Sequence, residues 1–252
     1  MGTSYGQFCP VAKAMELLDE RWTLLVVREL VMGSRHFNEL RRGVPRMSPT
    51  LLSKRLHTLV RAGVAERRVE DGEVLYALTA AGQELRPVVE ALGAWGTRWM
   101  GELGDEDLDP KLLLWDMHRS VDHGAVPKSG AVVHFVFPDV RGTGREWWLV
   151  ISDGSVDVCD DDPGKPLAAT LTSSLRVLVD VWRGERSWAD AVRSGALAVD
   201  GPTDTRRALP TWFTLSVFAG VPRPRELPRP ERQEETSLVP SLAHASAPNT
   251  TT

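Results

Sequence analysis

The sequence predicts two domains of different class, a mainly α domain that closes on a β-hairpin and then an α+β domain. Three observations predict it. At 252 residues the chain is long for one compact unit and comfortable for two. Helical apolar spacing governs residues 1–100 apart from one alternating stretch, whereas runs of β-branched and aromatic residues return repeatedly after residue 130. Charge divides at the same place: 14 Lys/Arg stand against 11 Asp/Glu up to Met100, and 16 against 23 beyond it, so a net charge of −4 splits into +3 and −7.

Taken in order, residues 10–18 form a short helix entered at Cys9-Pro10, where proline suits the first turn. Residues 22–31 are almost wholly apolar and predict a helix buried on most sides, stopped by Gly33. A short helix at 36–42 ends at Gly43 and Pro45. Ser48-Pro49 is an N-cap followed by a first-turn proline, and it opens the clearest amphipathic helix of the chain. Leu52, Leu56 and Leu59 recur at helical spacing on its inner face, which leaves Ser53, Lys54 and His57 outside. Residues 64–78 alternate around Asp71-Gly72, a two-residue hairpin signal. Thr79 caps a last helix running to Met100, with Leu85, Val88, Val89, Leu92, Trp95 and Trp99 in one stripe.

The second half begins with an acidic link at 101–109 and a connecting helix from Pro110 to about residue 121. Strands are predicted at 131–137, 146–151, 155–159 and 167–172, the second and third joined through Asp153-Gly154. Helices follow at 175–182 and 187–194, then a closing strand at 197–200 and a helix over 203–218 that Pro210 must interrupt. The domains are therefore 1–100, a linker and connecting helix at 101–130, the α+β domain at 131–220, and a Pro/Ser/Thr-rich tail at 221–252, too poor in apolar residues to repay its ordering entropy.

Composition narrows the class. Hydrophobic residues at 42% and charged residues at 25% suit a soluble globular protein. No run approaches the ~20 apolar residues that cross a bilayer, and the first residues lack the basic-then-apolar order of a signal peptide. Cys9 and Cys159 are too few for a disulfide framework, so a cytoplasmic location with no membrane partner is expected. Neither a metal-binding set nor a nucleophile–base pair, nor a phosphate-binding glycine loop, stands in the sequence. His118 and His123 accompany Asp116 and Asp122, but helical neighbours two apart do not share a face. Asp160-Asp161-Asp162 beside Pro163-Gly164 reads as a solvated turn. An enzyme is not expected, and no cofactor is implied.

The first domain points to nucleic acid. Arg35, Arg41, Arg42, Arg46, Lys54, Arg55, Arg61, Arg67 and Arg68 have only Glu39 and Glu66 as acidic neighbours, a basic surface on an acidic chain. A three-helix unit followed by a hairpin can place the Ser48 helix in a major groove about 12 Å wide. Ser48, Thr50, Ser53 and Lys54 are then the candidates for base edges and nearby phosphates, while Arg46, Arg67 and Arg68 hold the backbone.

Several linked segments then resemble one family. Cys9-Pro10-Val11, Arg21-Trp22-Thr23-Leu24-Leu25, Arg28-Glu29-Leu30, the run from Arg35-His36-Phe37 to Arg42, Leu51-Leu52-Ser53-Lys54-Arg55-Leu56, Gly63-Val64, Tyr76-Ala77-Leu78-Thr79 and Gly82-Gln83-Glu84-Leu85 are similar to HxlR-type winged helix-turn-helix regulators. The resemblance covers about the first hundred residues. It implies homodimers on two-fold-related sites in double-stranded DNA, with terminal helices forming the interface, and in some members a redox switch at a cysteine matching Cys9. A thiol at a helix N-terminus is suited to that use; the alternative, which the residue alone favours, is a small buried side chain packing the first helix against the dimer partner. The wing departs from the family pattern: 68–74 is short and acidic at its tip, and carboxylates there repel phosphates.

Residues 131–218 resemble the sterol-carrier-like lipid-binding fold, on Trp148-Leu149-Val150-Ile151, Asp153-Gly154, the helical stripe at 175–182, the 189–197 segment and Val199-Asp200-Gly201-Pro202. That likeness implies a sheet and helices enclosing an apolar tunnel. Phe135, Trp148, Trp182 and Trp212 are the candidate pocket residues for a hydrophobic small molecule. The fold class expected is thus a mainly α winged helix-turn-helix domain plus an α+β sterol-carrier-like domain. The function expected is transcriptional regulation, more simply by repression, since a bound dimer occludes a promoter without touching polymerase. The alternative is a lipid or metabolite carrier that uses the winged helix only to dimerise.

Overall fold

The computed structural model describes residues 4–100, 103–152 and 154–223. Asp153 of the expected Asp153-Gly154 turn, and the expected disordered tail from residue 224 on, lie outside the described residues.

The N-terminal domain contains α1 (Pro10–Leu18), α2 (Thr23–Val31), α3 (Phe37–Gly43), α4 (Pro49–Arg61), β1 (Ala65–Glu70), β2 (Glu73–Leu78), α5 (Ala80–Gln83) and α6 (Arg86–Trp99). Local chemistry sets most of these ends. The Ser48 hydroxyl accepts a hydrogen bond from the Leu51 amide at 3.3 Å, capping α4. Asp71 and Gly72 both take positive φ, 50° and 83°, the conformation that a two-residue turn needs to match the twist of β1 and β2. Thr79 caps α5 by accepting from the Gly82 amide at 3.2 Å. The single helix expected over 79–100 is divided, because Pro87 has no N–H to offer the Gln83 carbonyl and sits instead in the first turn of a new helix. The core consists of Val26, Val27, Leu30, Leu40, Leu52, Leu56 and Leu59 with their neighbours.

The second domain runs through α7 (Pro110–His118), β3 (Ala131–Val136), β4 (Glu146–Ser152), β5 (Ser155–Cys159), β6 (Ala169–Ser173), α8 (Leu175–Trp182), α9 (Trp188–Arg193), β7 (Leu197–Asp200) and α10 (Thr203–Trp212). Its five strands lie in the order β5-β4-β3-β6-β7, with β3 and β6 parallel and the other pairs antiparallel. Val133, Phe135, Trp147, Leu149, Ile151 and Leu171 form the face buried with the helices. Val132, Trp148 and Val150 form a smaller apolar cluster that excludes them. That division follows from strand alternation.

Two sequence expectations are corrected here. Leu113, Leu114 and Met117 of α7 are part of the second core, so the expected connecting helix is the first element of that domain. The expected helix over 203–218 stops at Trp212, two residues after Pro210, and Phe213 instead bridges to Val121. The chain then returns toward the first domain. A Cβ added at Gly93 of α6 would lie 2.1 Å from the Phe218 ring, so only glycine lets that ring pack there.

Candidate nucleic-acid interface

Helix α4 has one apolar and one polar side. Leu52, Leu56 and Leu59 are fully buried, whereas Ser48, Thr50, Ser53, Lys54, His57 and Arg61 are exposed. The spacing 50, 54, 57, 61 is a helical stripe, so Thr50 and Lys54 share a face with His57 and Arg61. The short side chains come first, at the end of the helix whose amides and dipole favour phosphate. Arg61 belongs to this stripe although sequence reasoning counted it only as part of a general basic surface.

The arginines expected around α4 are divided by tertiary contacts. Arg46 donates to the Glu106 carbonyl of the link between domains. Arg68 pairs with Glu66 and stands 3.9 Å from Glu70, which also lies 3.7 Å from Arg35. Arg67 and Arg68 are opposite Tyr76 and Leu75 respectively, so they project from opposite faces of the hairpin. Only one of them can point toward a given phosphate strand. Arg55 is a correction to the expected basic surface: it is buried, pairs with Glu20 and donates to the Arg21 carbonyl at 3.1 Å. Arg42 stands over the Trp115 ring, 5.3 Å from its centroid.

That tryptophan belongs to the junction between domains. Glu29 of α2 has no exposed side-chain surface and pairs with Arg28 at 2.8 Å and with Arg119, just beyond α7. Ser34 donates to Glu29 at 3.1 Å and accepts from Arg119 at 2.7 Å, and the Trp115 indole N–H points at the same carboxylate from 3.4 Å. A Cβ at Gly43 would fall 1.9 Å from the Glu29 carboxylate, so this glycine makes room for the buried charge. Burial alone would raise the Glu29 pKa, but Arg119 and Arg28 more than offset it and hold the group below its ordinary value.

Two further groups of the junction titrate abnormally. Burial, reinforced by Glu29 and opposed by Arg28 and Arg119, pushes the Asp116 carboxyl up to about 6. Burial also pushes His118 down to about 4, aided by Arg119 and Arg42, while its Nδ1–H donates to the Trp115 carbonyl. Their effects on stability oppose. Folded Asp116 holds its proton where the unfolded chain has released it, so its contribution falls as pH rises from 3.8 to about 6. Folded His118 refuses a proton that the unfolded chain accepts, so its contribution falls as pH drops from 6.5 to about 4. Asp116→Asn should therefore be more stable than the parent above pH 6, by about 3 kcal/mol, and close to it below pH 4. His118→Gln should show its advantage at pH 4 and lose it by pH 7. Urea midpoints measured for all three chains across that range check both slopes, and flat differences would contradict the assignment.

The remaining expected site residues are dispersed. Phe135 and Trp212 lie in the filled core between sheet and helices, with Trp182 packed against its edge. Trp148 is on the other face of the sheet, where its ring stacks on His134 with centroids 4.7 Å apart. These four residues do not line one cavity. Cys9 is half-buried at the N-cap of α1, and Cys159 lies on β5 in the other domain. Among the described residues no cluster of His, Cys, Asp and Glu is placed to hold a metal, and no helix is long and apolar enough to cross a membrane.

Helices α2, α3 and α4, the β1–β2 hairpin packed against all three, and the terminal helix α6 define a winged helix-turn-helix domain. The sequence model of the HxlR-like helix-turn-helix family matches residues 17–103. An uncharacterised HTH-type transcriptional regulator of a Synechocystis species, sll1512, is 37% identical over 98 residues, covering 38% of this chain and 73% of that protein. The uncharacterised HTH-type transcriptional regulator YvaP of Bacillus subtilis is 35% identical over 98 residues, covering 37% of this chain and 91% of that one. The HTH-type transcriptional regulator YodB of the same species is 33% identical over 101 residues, covering 38% and 89%. The chain belongs to the HxlR-like helix-turn-helix family. Its second domain lies beyond the matched region.

Proposed function

We propose that this protein is a transcriptional regulator that binds operator DNA as a homodimer and represses by occlusion. The observation that carries this reading is α4, which buries Leu52, Leu56 and Leu59 while presenting Thr50, Ser53, Lys54, His57 and Arg61 as one exposed stripe. Such a helix enters a major groove with its first turns, where short polar side chains meet base edges and Lys54 meets a phosphate. Arg67 supports it from the hairpin, while Arg46 and Arg68 would have to leave their present carbonyl and carboxylate partners. The acidic wing tip favours contact through the wing's base.

The dimer reading rests on α6. Val88, Leu92, Trp95 and Trp99 are exposed, and so are Phe8 and Val11 ahead of and within α1. A soluble protein seldom leaves so many large apolar groups in water unless a partner covers them. A second copy would bury both sets and set two α4 helices at the spacing of successive grooves. The carrier alternative fits less well, because Phe135 and Trp212, expected as pocket walls, are core residues packed among other side chains. We read the second domain as the regulatory part, docked on α2 and α3 through Arg119 and Trp115.

Selection of bound sequences from random duplex DNA by the full chain, followed by titration of the enriched site, tests the proposal. Lys54→Ala should weaken binding about tenfold and reduce the slope of log affinity against log salt by about one unit. No enriched sequence, or a variant with unchanged affinity and slope, would overturn it.

A further inference from the structure

Helix α6 is held from two domains. Its beginning belongs to the first: Val89, with Leu85 just ahead of the helix, packs against the first core, and Arg86 donates to the Val31 carbonyl at 3.0 Å. Beyond Val89 the support comes from residues 213–223. The Phe218 ring lies against Gly93, and Arg98 Nε donates to the Pro222 carbonyl at 3.4 Å. Gly93 and Trp95 are two positions apart, hence about 200° apart around the helix. The Phe218 contact therefore sits behind the exposed stripe of Leu92, Trp95 and Trp99.

We propose that residues 213–223 are a strap by which the second domain seats α6 for self-association. This builds on the dimer reading above and names the part of the second domain that serves it.

The strap has no helix or strand of its own, yet it is fixed along its length. At its root Phe213 is buried in the second core and meets the Phe135 ring edge-on, with centroids 6.3 Å apart. The Thr214 amide donates to the Ser120 carbonyl at 2.8 Å, one residue beyond the Arg119 that holds Glu29. The Ser216 amide donates to the Trp182 carbonyl at 3.0 Å, at the end of α8. Turns closed from Ala219 to Ser216 at 2.8 Å and from Val221 to Phe218 at 3.0 Å then set the direction of the Phe218 ring. Gly184, with φ 74°, makes room on the other side: a Cβ there would lie 2.9 Å from the Ala219 Cβ. Phe218 and Ala219, neighbours in the chain, thus meet α6 of one domain and the end of α8 of the other. Arg223 closes the strap on Glu185 at 2.7 Å.

The consequence for assembly is quantitative. Association of two copies through α6 needs the helix seated in both, so a seated fraction of about one third in each weakens the dimer about tenfold. A change within the second domain acts on the dimer to the extent that it unseats Phe218.

Two variants of the full chain test this. Phe218→Ala removes the ring, whereas Gly93→Ala pushes it away while giving α6 a better helix former. Sedimentation velocity over a concentration series gives the dimer dissociation constant. Hydrogen exchange, at a dilution where the chain is monomeric, gives the protection of residues 90–99. Both variants are expected to weaken the dimer about tenfold and to speed exchange over 90–99, while β3 and β4 exchange as in the parent. The double variant should be little weaker than either single one, since both break one contact. Trp95→Glu, on the opposite side of α6, should abolish the dimer and leave exchange in the monomer unchanged. Variant dimers as tight as the parent's, or unchanged exchange over 90–99, would overturn the strap. If the parent is monomeric at every concentration, the dimer reading falls and control of association with it, while exchange still decides whether the strap seats α6.

Discussion

Trp95→Glu is expected to turn the proposed dimer into a monomer and to lower operator affinity about 100-fold or more. Trp95 is 52% exposed and centred in the α6 stripe, with Leu92 and Trp99 on either side and Phe8 of the N-terminal arm wholly exposed. In a single chain, replacing a solvent-facing tryptophan changes little, so the variant should keep its fold and its unfolding midpoint at low concentration. In a dimer the same carboxylate enters an apolar interface without a partner, which costs several kcal/mol. Losing the second half-site then removes half of the phosphate and base contacts, and every 1.4 kcal/mol lost is about tenfold in affinity. Sedimentation velocity gives the mass and anisotropy gives the affinity. A variant that sediments like the parent would show that α6 is not the interface.

Arg119→Ala is expected to cost about 3 kcal/mol of stability, read as a lower urea midpoint. The reason is what it leaves behind. Glu29 would retain Arg28, Ser34 and the Trp115 indole, but its fully buried carboxylate would lose one of two guanidinium partners. The cation beside the Trp115 ring, 5.0 Å from its centroid, would be lost as well. A double-mutant cycle with Glu29→Gln separates the pair from the rest, because the cost of Arg119→Ala should shrink sharply once the carboxylate is neutral. Additive effects would mean that Arg119 acts by packing alone. The location of the pair adds a consequence for function: it ties α7 of one domain to α2 and α3 of the other, so the variant should also loosen their docking.

The local elements were legible because their signals are local. Ser48-Pro49 with Leu52, Leu56 and Leu59 announced the amphipathic helix α4, and Asp71-Gly72 announced the hairpin, since capping, turn conformation and amphipathic spacing involve residues a few positions apart. The α6 stripe was equally plain, but the same spacing suits a buried face and a face awaiting a second copy. Pro87 carried a readable break within that helix that the stripe concealed.

By itself, then, the sequence determined the order of the elements, the exposed polar side of α4 and the division of charge between the halves. The tertiary structure decided which charges are available. Arg55 meets Glu20, Arg42 meets Trp115, and Arg119 reaches Glu29 across 90 positions of sequence. It also separated Trp148 from Phe135 by the pleat of the sheet. The physical reason is range: helix and turn preferences are set by neighbours in the chain, whereas an ion pair, a buried charge or a cleft is set by whatever the fold brings within a few ångströms.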